Sequence, residues 1–116
     1  MNRISVDDIV RDGAAAAGEA PGGRCARTLV GGHDRMLRQT VISIRDGSSL
    51  AEHESPGEAT LLVLSGKVSL RTATDECVGG KGDLLGIPDE RHSLHAMGDA
   101  SVLLTVVVGS TGAAHV

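Results

Sequence analysis

His53, His92 and His95 are the residues whose type and spacing carry the most chemistry in this chain. An imidazole can hold a metal, relay a proton, or donate and accept hydrogen bonds near neutral pH. Glu52 and Glu54 flank His53. In an extended strand neighbours alternate, so both carboxylates face away from the ring and Ser55 shares its face. His92 comes after the Pro88 turn and opens a segment with Leu94 and Ala96 on its own face. His95 then points to the other face. The pattern is two imidazoles, distant in sequence, on apolar-lined strands.

Other polar residues read more plainly. His33, in Gly31-Gly32-His33-Asp34-Arg35, is a turn residue, and His115 belongs to a tail. Arg35 and Arg38 can steer an anionic ligand. Glu90-Arg91 reads as a surface turn and Gly66-Lys67 as a hairpin turn. Cys77, next to Val78, reads as a small buried hydrophobe. Cys25 and Cys77 could pair once. The acidic N-terminus carries no apolar export stretch, so free thiols in a reducing cytoplasm are expected.

The elements that must position these groups are marked by the punctuation of the chain. Ser5 before Val6-Asp7-Asp8 is an N-cap with acidic residues in the first turn, and Ala14 to Ala17 favour helix. Pro21-Gly22-Gly23 ends it. Residues 1–24 are therefore expected to form a helix or arm outside the main core, available as a dimer contact. From residue 25 to 110 the grammar is that of strands. Gln39 to Ile44, Ser49 to Ser55, Thr60 to Leu64, Val68 to Thr72, Leu84 to Ile87, His92 to Ala96 and Ser101 to Val108 are short segments closed by Gly, Pro or Asp. With Thr28 to Val30 and Cys77-Val78 they predict eight or nine strands in an all-β, antiparallel barrel or sandwich. Residues 111–116 read as a C-terminal tail.

Composition narrows the partners. The chain has 116 residues, a net charge of −4 and no Phe, Tyr or Trp. It offers no stacking platform and no basic footprint, so nucleic acid is not an expected partner. No apolar run is long enough to cross a bilayer as a helix, and no membrane association is expected. One small domain of this size has little surplus stability, and a homodimer is expected.

Two spaced motifs resemble those of the cupins, small β-barrels (jelly rolls) of the single-domain conserved-barrel type. The first runs from Gly47 through five residues to His53-Glu54-Ser55, then Pro56-Gly57-Glu58-Ala59, and closes at Gly66. The second runs from Gly82 through five residues to Pro88-Asp89-Glu90-Arg91-His92. The stretches EATLLVLSGKVSL and DLLGIPDERHSL carry the likeness, which covers roughly Thr40 to Val108. Cupins of this type hold a divalent metal with three His and one Glu inside the barrel. The resemblance places His53 at the first-His position and His92 at the second-motif His. Ser55 stands where another His is expected and Ala59 where the Glu is expected. Glu58 is one residue early, and a one-residue shift turns a strand side chain to the opposite face unless a bulge or turn intervenes.

The resemblance implies a metal set of His53, Glu58 and His92, holding Zn, Fe, Mn or Ni, with Ser55 and His95 as pocket residues. Three functions are compatible with it. One is a module binding a small molecule, with or without a divalent metal, through His53 and His92. Another is a metal-dependent enzyme (dioxygenase, isomerase or decarboxylase-like) acting on a small acid or sugar, with His95 or Glu90 as a proton carrier. A third is a non-catalytic dimeric structural or regulatory module.

Overall fold

A computed structural model describes residues 1–54 and 57–108, and shows one helix followed by nine strands. Helix α1 (Val6–Glu19) starts where the Ser5 hydroxyl accepts the Asp8 N–H at 3.3 Å, with Asp7 and Asp8 in its first turn. It ends at Ala20, whose backbone is already extended ahead of Pro21. Ile9 and Ala17 are its buried residues. Between them Gly13 lies so close to Ser43 that an added Cβ would stand 2.5 Å from the hydroxyl. Residues 6–19 are therefore docked on a sheet rather than extended away from it, and Arg24 already belongs to the first strand.

Strands β1 (Arg24–Val30), β2 (Leu37–Ile44), β4 (Glu58–Ser65), β7 (Leu84–Gly86) and β9 (Ala100–Val107) form one sheet in the order β1-β2-β9-β4-β7. Strands β3 (Ser49–His53), β5 (Lys67–Arg71), β6 (Glu76–Gly80) and β8 (His92–Ala96) form the other, in the order β3-β8-β5-β6. All the described pairings are antiparallel. The expected all-β jelly roll with a short N-terminal helix is the fold found. The 111–116 tail lies outside the described residues.

The inner faces meet in an aliphatic core. Ile42, Ile44, Leu61, Val63, Val68, Leu70, Leu85, Leu94 and Val102 are buried there, together with Ala96 and Ala100. Each fully buried aliphatic side chain contributes about 1.5–3 kcal/mol relative to exposure, which replaces what aromatic residues would otherwise supply. The opposite parity of β2 and β9 lies under α1. Ser43 and Ser101 are buried there and satisfy each other's hydroxyls at 2.9 Å.

The two ends of the sandwich differ. At the end where β2 stops and β9 starts, two turns clasp each other. Asp46 N–H donates to the Asp99 carboxylate at 2.8 Å, and Gly98 N–H donates to the Asp46 carboxylate at 2.9 Å. The histidines stand at the opposite end, at the finish of β3 and the start of β8.

Gly66, in the turn between β4 and β5, has φ +74°, and a Cβ there would run into the Asp99 carbonyl oxygen. Backbone cannot yield as a flexible side chain can. Gly66→Ala is expected to lower unfolding stability by about 2–4 kcal/mol. Calorimetric unfolding measures this, and a loss within about 0.5 kcal/mol, as at an ordinary surface position, would contradict the contact.

Candidate functional site

The site begins with a register shift. Leu50 pairs with Leu94, but His53 pairs with His92, so Ala51 and Glu52 together oppose Ser93 alone. This is a β-bulge, one extra residue in β3 that re-aims the side chains after it. Without it Glu52 would sit opposite His92 and His53 would turn outward. With it His53 joins the face of His92, Leu94 and Ala96. The ring centroids of His53 and His92 are 4.4 Å apart, inclined at 62°.

Both rings are held in the same way. Nδ1–H of His53 donates to the Ala51 carbonyl at 2.9 Å, and Nδ1–H of His92 donates to the Glu90 carbonyl at 2.9 Å. Each acceptor lies two residues upstream. A proton committed to Nδ1 leaves the lone pair on Nε2 in the neutral ring, the state suited to accept a hydrogen bond or ligate a cation. His92 is only 2 % exposed, yet every sealed side-chain nitrogen or oxygen among the described residues has a partner. No described contact engages its Nε2, so that nitrogen is not sealed and borders accessible space. His53 is exposed at the rim.

The carboxylates beside His53 are kept out of this space. Arg91 binds Glu52 at 3.0 Å and Glu54 at 3.1 Å. These two partners, Glu52 first, hold the guanidinium above its ordinary range. The Glu90-Arg91 turn thus has a definite task. It supplies the carbonyl that orients His92 and the cation that pairs the flanking acids.

The same end continues into a cleft of about 240 Å³ between β5, β6 and the Pro88 turn. Leu70, Thr72, Asp75, Cys77, Pro88 and Glu90 are among its walls. Cys77 pairs with Leu70 and so shares the inner face, yet it is exposed, which corrects its reading as a buried hydrophobe. The face is inward, but among the described residues nothing covers it at this end. Cys25 and Cys77 are both free thiols.

The remaining sequence candidates are dispersed. Ser55 lies outside the described residues. Leu61 and Val63 are buried in the core, so alternation along β4 turns Ala59 inward and Glu58 outward, where it is exposed. Its register shows no bulge between Glu58 and Val63, so nothing re-aims it. Glu58 therefore does not join the imidazoles. Among the described residues no third His, Cys, Asp or Glu completes a metal-holding group with them. Two imidazole nitrogens are present and suited to a transition metal, and the rest of the expected donor set is not.

His95 is on the other face of β8, as alternation requires, and is not in the pocket with His92. Its Nε2 and the Ser93 hydroxyl are 2.9 Å apart. Across the sheet Ser69, fully buried, donates to Glu76 at 2.5 Å, and Arg71 binds both Ser69 and Glu76 at 3.1 Å. This outer network is not anticipated by the sequence reading. Its signal is the parity of Ser69 and Arg71 against Val68 and Leu70.

No family model matches the chain, and no curated protein shows significant similarity to it. Solved structures do. A conserved protein of unknown function from Streptococcus pyogenes is 29% identical, with 76% of each chain covered and a TM-score of 0.67. A cupin 2 conserved barrel domain protein from Leptotrichia buccalis is 27% identical over 76% of this chain and 42% of its own, with a TM-score of 0.68. A salicylate 1,2-dioxygenase from Pseudaminobacter salicylatoxidans, at 18% identity, covers 86% of this chain and 33% of its own, with a TM-score of 0.72. That last likeness concerns the fold alone.

Burial, and then the nearby Arg71 charge, hold His95 below the ordinary imidazole range. The folded chain therefore binds this proton less readily than the unfolded chain. The stability linked to the neutral ring is complete above about pH 6.5 and is lost as pH falls through the lower folded-state value. Glu76 is also lowered, chiefly by the Ser69 hydroxyl, and the stability linked to it is lost only as pH falls through the ordinary carboxylate range toward the lower folded-state value. His95→Gln is expected to flatten the stability profile just below about pH 6.5 while leaving the carboxylate limb in place. Denaturant unfolding across that range tests it, and an unchanged slope would refute it.

Proposed function

We propose that this chain, a small cupin domain, is a small-molecule binding module whose recognition point is the His53–His92 pair. The carrying observation is that both Nδ1 protons are tied to backbone carbonyls on rings whose centroids are 4.4 Å apart, which leaves each Nε2 as an acceptor at one end of an aliphatic sandwich. A mostly apolar cavity with a few convergent polar atoms is the usual form of a small-ligand site. The bulged strand and the second-motif loop supply the two acceptors, the Leu50 and Leu94 side supplies an apolar wall, and Thr72 adds a hydroxyl in the adjoining cleft.

A second reading, in which a divalent transition metal is bound at the same pair, is favoured by the free Nε2 atoms themselves. His53 and His92 would hold it, and the metal would supply Lewis acidity toward a bound oxygen. Glu58 faces away and Ala59 has no donor, so the described residues provide two ligands. Such a pair binds metal weakly unless the small molecule completes the coordination. The chain would then sense the ligand and the metal together.

Thermal unfolding of the full chain, purified without chelator or nickel resin, separates these readings. Small organic molecules that bind the native state raise Tm by mass action. His53→Ala and His92→Ala should each abolish that rise. Zn, Mn, Fe and Ni salts, added alone and with the responsive molecules, test the second reading. A rise that persists in both histidine variants would overturn the proposed site. A rise in Tm with molecules alone and none with metal would remove the second reading and leave the first.

A further inference from the structure

We infer that Arg38 makes this pocket selective for a small carboxylate. The inference rests on the His53–His92 pocket proposed above and names its ligand class. Arg38 shares the parity of Thr40, Ile42 and Ile44 in β2, and the β2–β9 register from Leu37 to Ile44 is unbroken. Ile42 and Ile44 lie in the core between the sheets, so Arg38 is on the inner face. Its partner across the ladder is Val106, which pairs in turn with the inward Ala59.

The topology sets Arg38 at the histidine end. Strand β3 starts against the β1–β2 edge of the facing sheet, since the Arg24 guanidinium at the start of β1 donates to the Ser49 carbonyl at 3.0 Å. Arg24 pairs with Ile44, at the far end of β2 from Arg38. His53 closes β3 at the far end from Ser49. Arg38 and His53 therefore occupy the same end of the sandwich on facing walls.

Two further facts distinguish Arg38 from an ordinary solvated arginine. It is half-buried, and its stem passes Gly31, where an added Cβ would stand 3.6 Å from Cγ and 3.7 Å from Nε. No hydrogen bond or ion pair engages its guanidinium among the described residues; the other arginines of which this holds, Arg3, Arg27 and Arg35, are exposed, whereas Arg24, Arg45, Arg71 and Arg91 all have acceptors. The acids flanking His53 are committed to Arg91. Asp75, on the far side of the cleft, accepts the Glu76 N–H. Arg38 is thus a half-buried cation without a described counter-charge, beside Thr28 and Gly31 on the inner face of one sheet and at the same end as the imidazoles of the other. A guanidinium fork matches a carboxylate in two parallel hydrogen bonds. A hydroxyl on the same molecule could donate to Nε2.

Backbone-amide NMR titration of the full chain suits a protein without Trp or Tyr, and locates the binding as well as measuring it. The probes are lactate and butyrate, each against its uncharged amide, lactamide or butyramide. The acids are expected to shift amides around Arg38, His53 and His92, and to bind about tenfold or more tighter than the amides, the effect of hydrogen bonds to a charged group. Arg38→Gln should bring the acids down to the amide level, and Arg38→Lys should retain part of the preference. His53→Ala and His92→Ala should weaken acids and amides alike.

Equal binding of acids and amides overturns the inference and leaves the pocket reading standing, as does full acid affinity in Arg38→Gln. No response to either acid also overturns it. Acid binding that depends on Arg38 but ignores both histidine substitutions would instead overturn the pocket reading. The wild-type comparison of acid with amide needs no variant, and so decides the matter even if Arg38→Gln fails to fold.

Discussion

One extra residue in β3, set against Ser93, controls which group faces the interior beside His92. In unbroken register that group would be the Glu52 carboxylate, held against Leu50 and Leu94 in an apolar wall. The effective cost of enclosing an unpaired carboxylate is several kcal/mol. The bulge exchanges it for an imidazole and sends Glu52 out to Arg91, where water and an opposite charge both stabilise it. The polarity of this end of the inner face and the electrostatics of its rim thus have a single cause, and the tautomer-setting bond from His53 to Ala51 forms within the same bulged segment.

The rest of the sandwich keeps one end shut and the other accessible. Asp46 and Asp99 link two turns at the shut end, where Ala96 and Ala100 are buried in the core. At the other end the inner face carries Arg38, His53, His92 and Thr72 in place of aliphatic residues. Helix α1 takes no part in that interior. It covers the outer face of β1 and β2, where Gly13 permits a close approach over Ser43. A small aliphatic domain without aromatic residues gains buried area there that its core alone does not provide.

Much of this is legible in the residues. The turn chemistry and short β-branched runs mark the strands, and the resemblance in the two His-bearing motifs points to the jelly roll. Alternation assigns Leu94 and Ala96 to the face of His92 and turns His95 away. Alternation alone does not show the bulge, because Ala51 and Glu52 carry no glycine or proline to announce it. Treating β3 as regular pairs His53 with the face of Ser55, and the true cause of its inward turn is the extra residue before it. The outward position of Glu58 can be argued from parity, and the absence of a bulge in that part of β4 needs coordinates. Cys77 is misread from sequence because strand pattern tells which face a side chain takes, not whether anything lies over it. Arg38 shows the converse. Its parity with Ile42 and Ile44 is plain in the sequence, but its lack of a partner depends on how distant loops fall.

The manner in which the imidazoles are anchored bears on how such a domain diversifies. In each case the acceptor is main-chain, two positions back along the same stretch of polypeptide. Among the described residues no side chain hydrogen-bonds either ring to keep it in place. Substitutions at neighbouring wall positions can therefore accumulate without unsettling the rings, so successive descendants can reshape the surrounding wall while inheriting an unchanged pair of imidazoles.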